Sequence, residues 1–287
     1  MRAVLISRST YSKGKDLARR LAGHLGVQCI SRADLMELVA KKGMHARTVM
    51  DSLSRASHAY LQFSRYRRAF VVLMRRAFLE MVRSYDLVYH GHACQFLVPD
   101  LPAHIRVRVS APESVRVRRA AATLKLPSDE AKEVMRREDE EISRWARFMY
   151  GKDVQDPAQY DVCVCLGCLP MSPVCAMLAA LAEHPALQPT SEQRKTLEDI
   201  YLAACVEETL VLHPVTREVE VVASARQGAV RLTGPYLDPK VQQDVEMIAG
   251  SVRGVKSVGY EVGYAVGLER FGLENEQDRF ARTGNTP

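Results

Sequence analysis

A chain of 287 residues with 47% hydrophobic and 26% charged residues has the composition of a globular protein with one large or two medium domains, which excludes fibrous and wholly disordered classes. No stretch approaches the roughly 18 to 20 apolar residues of a membrane span and the N-terminus lacks an apolar signal core, so a cytoplasmic, non-transmembrane protein is expected; seven cysteines do not read as a disulfide framework. The net charge of +6 divides into +10 over residues 1–185 and −4 over residues 186–287, so an anionic ligand suits the first part.

Residues 4–6 read as a short buried strand, and a polar turn follows. Leu17, Ala18, Leu21, Ala22 and Leu25 then recur at helical spacing, with Gly26 placed to close the helix in the left-handed region. Strand, loop and helix N-terminus in that order aim backbone N–H groups and the helix dipole at whatever occupies the loop. Ser12, Lys13, Gly14, Lys15 and Asp16 are therefore candidate anion-binding residues. Set against the phosphate-loop pattern G-x-x-x-x-G-K-[ST], Ser9 stands at the first glycine and Asp16 at the magnesium-holding hydroxyl. An ordinary turn with a solvated lysine fits the same spacing.

Residues 27–30 form a second strand candidate, and Ser31 can cap a helix running to about residue 42. Residues 46–84 contain no Pro or Gly, and Leu61, Phe70, Leu73, Met74, Ala77, Phe78 and Met81 recur at three and four, giving two helices or one bent one. Arg65, Arg67, Arg68, Arg75, Arg76 and Arg83 along it read as a solvated basic face in preference to a ligand site. Residues 86–89 make a buried strand that ends at His90-Gly91-His92. The two histidines are assigned no metal or catalytic role.

Residues 105–109 alternate as a strand, and Pro112 opens a helix over 113–124 bearing Arg116, Arg118 and Arg119. Ser128 starts the next helix, which carries Arg136, Arg137 and Arg144 beside Glu138, Asp139, Glu140 and Glu141; a salt-bridged surface helix is one reading of it. Residues 160–166 are the last strand of this part. Its Cys163 and Cys165 suit a core face, and the spacing C-x-C-x2-C-x6-C through Cys168 and Cys175 is not that of a zinc site, so no metal ligands are assigned. A helix over 172–183 follows. Residues 184–191, with two prolines, read as a linker. Beyond it the order is helix (197–210), strands (218–223 and 228–234), helix (239–252) and strand (from 254).

Ile6, Ser7, Arg8, Ser12, Gly14, Lys15, Asp16, Leu17 and Ala18 resemble the opening I-S-R-E-x-G-S-G-G-R-x-[IL]-A of the cytidylate kinase-like family, with Lys15 for the arginine and Tyr11 and Lys13 in place of two glycines. The segment from Cys29 to Leu35 resembles the family's Tyr-Asp-Arg-Glu stretch, with Ser31 for the acid. His90-Gly91-His92-Ala93 lacks the arginine of its Gly-Arg-Gly-Ala. Asp139, Arg144, Gly151, Asp153, Asp156, Pro157, Tyr160 and Asp161 fall at its spacing D-x4-R-x6-G-x-D-x2-D-P-x2-Y-D.

The resemblance implies an α/β P-loop three-layer sandwich with a mainly parallel sheet over residues 1–185. It also implies phosphoryl transfer from ATP, with Mg2+, to a nucleoside monophosphate, cytidylate being favoured. Lys15 and the loop amides would hold the donor phosphates, and Arg137 and Arg144, with Arg136 behind them, would meet the transferring group. After a linker over 186–195, the pieces G-x-V-x-L-x-G and V-x-G-V-x-x-V in residues 196–262 resemble a BON domain, which implies a binding module with a protein or phospholipid partner. Residues 263–287 form a polar tail. No nucleic-acid motif is present. The missing glycines and the missing Gly-Arg-Gly favour an alternative, a catalytically weak kinase fold acting as nucleotide sensor or interaction scaffold.

Overall fold

The computed structural model describes residues 3–41 and 64–263, so the part of the long helical stretch before residue 64 and the tail from residue 264 lie outside the described residues. At the centre is β1 (Ala3–Arg8), buried over all but its last residue. It pairs in parallel with β3 (Leu87–Gly91) on one side and β4 (His104–Ser110) on the other. The sheet is completed by β2 (Gln28–Ser31) and β5 (Val162–Cys165) in the order β2-β3-β1-β4-β5, parallel throughout. A parallel sheet needs helices on both faces. On one face α1 (Gly14–Leu25) and α6 (Met171–Glu183) enclose a core with Val4, Ile6, Val107 and Val109. On the other, α2 (Arg32–Ala40), α3 (Ser64–Ser84) and the end of α5 (Ser128–Tyr150) pack over Ala3, Leu5, Leu87 and Tyr89. Helix α4 (Glu113–Leu124) packs on α5. This is the expected mainly parallel α/β sandwich.

Local signals did much of the placing. Gly26 ends α1 at φ 66°, and Ser31 and Asp34 form a reciprocal capping box at the start of α2. The residue preceding α5 is Pro127, with Ser128 inside the helix. The sequence placed Cys163 and Cys165 on a core face, and the structure corrects this. Strand β5 is a sheet edge whose buried residue is Val164, while Cys163 is exposed and Cys165 half-buried.

The second part has the expected αββαβ order: α7 (Ser191–Leu212), β6 (Val222–Arg226), β7 (Ala229–Gly234), α8 (Pro239–Gly250) and β8 (Ser257–Val262). Strand β7 lies between antiparallel β6 and parallel β8. Thr190 and Gln193 cap α7 reciprocally, so the helix begins inside the expected linker. Helix α7 has two buried faces. Ala203, Val206 and Leu210 join Leu232, Val245 and Ala249 in a small core of their own, while Leu197, Ala204 and Val211 join the core over α3.

That docking changes the reading of the α3 arginines. Among the described side chains they are not a solvated face. Arg67 donates to Met149 O, Arg68 to Val219 O and Val221 O, Arg75 pairs with Glu207, Arg76 with Glu208 and Arg83 with Glu198. Apart from Arg67, each reaches the second part of the chain. A basic helix face without a visible partner in its own neighbourhood is solvated by default; here the partner lies more than a hundred residues further on. No helix of the described residues is long and apolar enough to cross a membrane.

Candidate functional site

The β1–α1 loop takes its shape from two residues that carry side chains. Tyr11 (φ 52°) and Lys13 (φ 66°) both adopt the left-handed conformation, at the two positions where the resembled pattern has glycine. Each pays a steric penalty of about 1 to 2 kcal/mol for it. Lys13 is exposed and caps nothing with its side chain, so Lys13→Gly should raise stability by up to about 1 kcal/mol in a urea melt, the relief being partly offset by the freer unfolded chain. Lys13→Val should lower it.

Gly14 is required for another reason: a Cβ there would lie 2.7 Å from Arg8 Cβ and 3.3 Å from Val109 Cβ. The loop is thereby pressed onto the ends of β1 and β4. Ser9 N–H donates to Val109 O, and Ser12 Oγ donates back to Ser9 O.

Beside the loop opens a cavity of about 790 Å3, lined by Arg8, Ser9, Arg108, Ser110 and Ala111 at the sheet and by Arg116, Lys132, Arg136 and Asp139 on α4 and α5. Its volume lies within the range of small-molecule sites. Arg108 donates to Ser9 Oγ (3.1 Å) and lies 3.4 Å from Ser7 Oγ. Arg8 and Arg116 each keep a buried Nε without a hydrogen-bond partner among the described residues, and burial lowers the Arg8 pKa against the opposing pull of Asp16. Cationic groups held this way are suited to polyanion oxygens. On the other side of β1, the Arg32 guanidinium lies over the Trp145 ring, 4.0 Å from its centroid.

A carboxylate already touches the loop. Asp139 Oδ1 accepts from Thr10 Oγ1 (2.7 Å) and Thr10 N (3.3 Å), and its other oxygen pairs with Arg116. Tyr11 OH donates to Glu138, and Arg119 to Tyr11 O. These contacts tie α4 and α5 to the loop.

His90 lies near the end of β3 and His92 just follows the strand. His92 Nδ1 lies 3.1 Å from Arg8 O, which fixes Nδ1 as the protonated nitrogen of a neutral ring. Burial, then the charge of Arg8, pushes the His90 pKa down to about 4 and that of His92 down to about 3. Below about pH 6.5 the unfolded chain binds protons that the folded one does not, so stability is full above that pH and falls as pH drops toward 4 and then 3. The slope is at most about 1.4 kcal/mol per pH unit for each ring. Melting temperature measured from pH 7.5 to 4.5 should fall accordingly, and His90→Asn should flatten the fall.

The sequence-derived residues divide. Ser12, Lys13, Gly14, Lys15 and Asp16 form the loop and the first turn of α1. Lys15 is exposed with no side-chain partner among the described residues. Arg136 lines the cavity while paired with Glu133 and Glu140. Arg137 is exposed, held by Glu133 at 2.9 Å, and Arg144 is exposed; neither lines the cavity. The residues with family spacing from Asp139 onward mostly build structure. Gly151 closes α5 at φ 64°, Asp156 caps the 3-10 turn Pro157–Gln159, and Asp161 grips the Arg106 side chain and backbone N–H. The Tyr160 hydroxyl donates to Val154 O, accepts from Gln95 and sits 3.3 Å from Ser7 Oγ. Arg8, Arg108 and Lys132 are cationic cavity residues to which the sequence assigned no role. The Arg106/Arg108 alternation inside a strand with both faces covered is the signal that could have found Arg108. No group of three or more metal-ligating side chains occurs among the described residues.

The model of the cytidylate kinase-like family matches residues 3–167. No curated protein matches the chain. Among solved structures, an uncharacterized protein from Eubacterium ventriosum is similar at 16% identity over 64% of this chain and 99% of its own, with a TM-score of 0.50. A shikimate kinase from Bacteroides thetaiotaomicron is similar at 14% identity over 63% of this chain and 98% of its own, with a TM-score of 0.40. A shikimate kinase from Aquifex aeolicus is similar at 18% identity over 65% of this chain and 99% of its own, with a TM-score of 0.35. The first of these likenesses shows a common fold.

Proposed function

The chain belongs to the cytidylate kinase-like family, and from that premise we propose that it transfers a phosphoryl group from ATP to a nucleoside monophosphate, with cytidylate the favoured acceptor. The observation that carries the reading is the β1–α1 loop, which holds the left-handed backbone at Tyr11 and Lys13 although neither is glycine. Strain of this kind persists where the surroundings over-determine the conformation, and it clusters at ligand clamps.

The residues present fit the nucleotide. The amides at the start of α1, free of any Lys13 side-chain cap, and the exposed Lys15 ammonium would hold the donor phosphates. Arg8, Arg108 and Arg116 at the cavity offer guanidinium donors to charge spread over phosphoryl oxygens. Arg137 and Arg144 remain proposed for the transferring group and would have to swing in from the exposed side of α5. Mg2+ fits as an ion carried mainly by the phosphates, with the hard oxygens of exposed Asp16 the side-chain donor in the loop. When bound it neutralises phosphate charge. Positioning and fixed charge supply the rest, and no general base is required. We read residues 196–262 as a BON-like binding module docked on the kinase-like part through α7, with a protein or phospholipid partner.

The test is ADP release from ATP and Mg2+ in the presence of CMP, UMP or AMP in turn. Release dependent on a monophosphate, greatest with CMP, is expected. A folded protein that releases no ADP with any of them would overturn phosphoryl transfer and leave the sensor or scaffold reading.

A further inference from the structure

The sequence Cys165-Leu166-Gly167-Cys168 turns sharply at the end of β5, and the two sulfurs come within 3.4 Å of each other. Gly167 adopts φ 124°, which L side chains rarely take, and Leu169 N–H donates to Cys165 O, so the chain itself holds the sulfurs together. A disulfide needs about 2.05 Å, a further approach of about 1.4 Å that side-chain rotation can supply. Cys168 is exposed and Cys165 half-buried, so both are within reach of a solute, whereas Cys94 and Cys175 are buried. No other sulfur pair is in contact among the described residues. A zinc reading fails on ligand count: two thiolates are half of a closed site, and no third metal-ligating side chain accompanies them among the described residues.

We propose that Cys165 and Cys168 form a reversible dithiol–disulfide couple that responds to hydroperoxides. One thiolate attacks the terminal peroxide oxygen; an S–O bond forms, the O–O bond breaks, and the alcohol or water leaves with the freed proton. The second sulfur then displaces the sulfenic hydroxyl, forming the S–S bond and releasing water. Two electrons pass from the sulfurs to the peroxide, and a dithiol reductant returns them by exchange through a mixed disulfide.

The place gives the couple a consequence. Leu166 N–H donates to Ser110 O at 2.8 Å, and a Cβ at Gly167 would touch Pro112 at 3.2 Å and Val115 at 3.4 Å. Ser110 and the first turn of α4 form the lip of the cavity, so the turn that carries the couple braces that lip.

The experiment uses the full chain and needs no nucleotide. Reduced protein is treated with hydrogen peroxide at near-stoichiometric ratio, thiols are counted after unfolding, and the bridge is mapped by fragmentation mass spectrometry. The native chain should lose two thiols and two hydrogens between Cys165 and Cys168, and dithiothreitol should restore both. Cys168→Ser and, separately, Cys165→Ser should lose no thiol pair, while Cys163→Ser should behave as the native chain. No bridge in the native chain, a bridge that uses Cys163, or oxidation that stops at sulfinic acid would overturn the proposal.

Discussion

Glu207→Ala should lower unfolding stability by about 3 to 5 kcal/mol, the scale for breaking a buried ion pair from one side. Glu207 is 0% exposed; it receives Arg75 at 3.3 Å and the Ala223 N–H at 3.0 Å. Without it, Arg75, whose side chain is 4% exposed, keeps Asp100 at 3.7 Å as its ion-pair partner among the described residues. The Arg68 cation nearby also loses an opposing charge. Glu207→Gln retains an acceptor for Ala223 and should cost less. Replacing both partners by apolar residues, Arg75→Met with Glu207→Leu, should recover much of the loss, because no unpaired charge is left behind. Urea denaturation of the four proteins measures this. A loss below about 1 kcal/mol in Glu207→Ala would mean that the α3–α7 interface does not hold the two parts together. The same interface bears on the expectation that residues 196–262 form a separate unit. Leu197, Ala204 and Val211 share a core with α3, so the native chain should melt in one transition and Glu207→Ala in two.

Lys15→Ala should lower ADP release, measured as kcat/KM, by about 100-fold or more, the scale for removing one fixed donor from developing oxyanion charge. Lys15 is exposed and makes no side-chain hydrogen bond or ion pair among the described residues, so the change should leave the melting temperature within a degree or so. Lys15→Arg restores the residue that the resembled pattern has at this position and should retain most activity. Arg108→Ala provides the contrast. Its side chain is bonded to Ser9 and stacked toward Tyr160, 5.9 Å from the ring centroid, so both turnover and stability should fall. Full activity in Lys15→Ala would remove the loop from the mechanism.

Much of the architecture was legible because local chemistry and global topology agree. Val4 to Ile6, the polar loop and the Leu17/Leu21 stripe announce a strand–loop–helix unit, and Gly26 and Ser31 mark helix ends by mechanisms that act within a few residues. The αββαβ order after residue 190 was legible for the same reason. What escaped depends on distant chain. Arg68, Arg75 and Arg83 are indistinguishable from solvated arginines until α7 returns to cover them. Cys163 and Val164 exchange faces in the reading because a strand's period gives two faces but not which one is inward, and β5 is an edge. In the site, the loop could be read from order and spacing. Arg8 could not, since its value lies in burial without a paired carboxylate, and Arg108 was signalled only by its alternation with Arg106 inside a covered strand. Arg144 was favoured by family spacing, which in this chain also marks the turn and caps that anchor Tyr160, and Arg137 by its place near that stretch.

The most direct test of the account is calorimetric titration of the native chain with ATP in the presence of Mg2+, repeated with Lys15→Ala. Saturable binding of one nucleotide per chain, weakened at least about tenfold by the substitution, is the predicted result. Absence of binding to the folded native chain, or equal affinity in the two proteins, would contradict it.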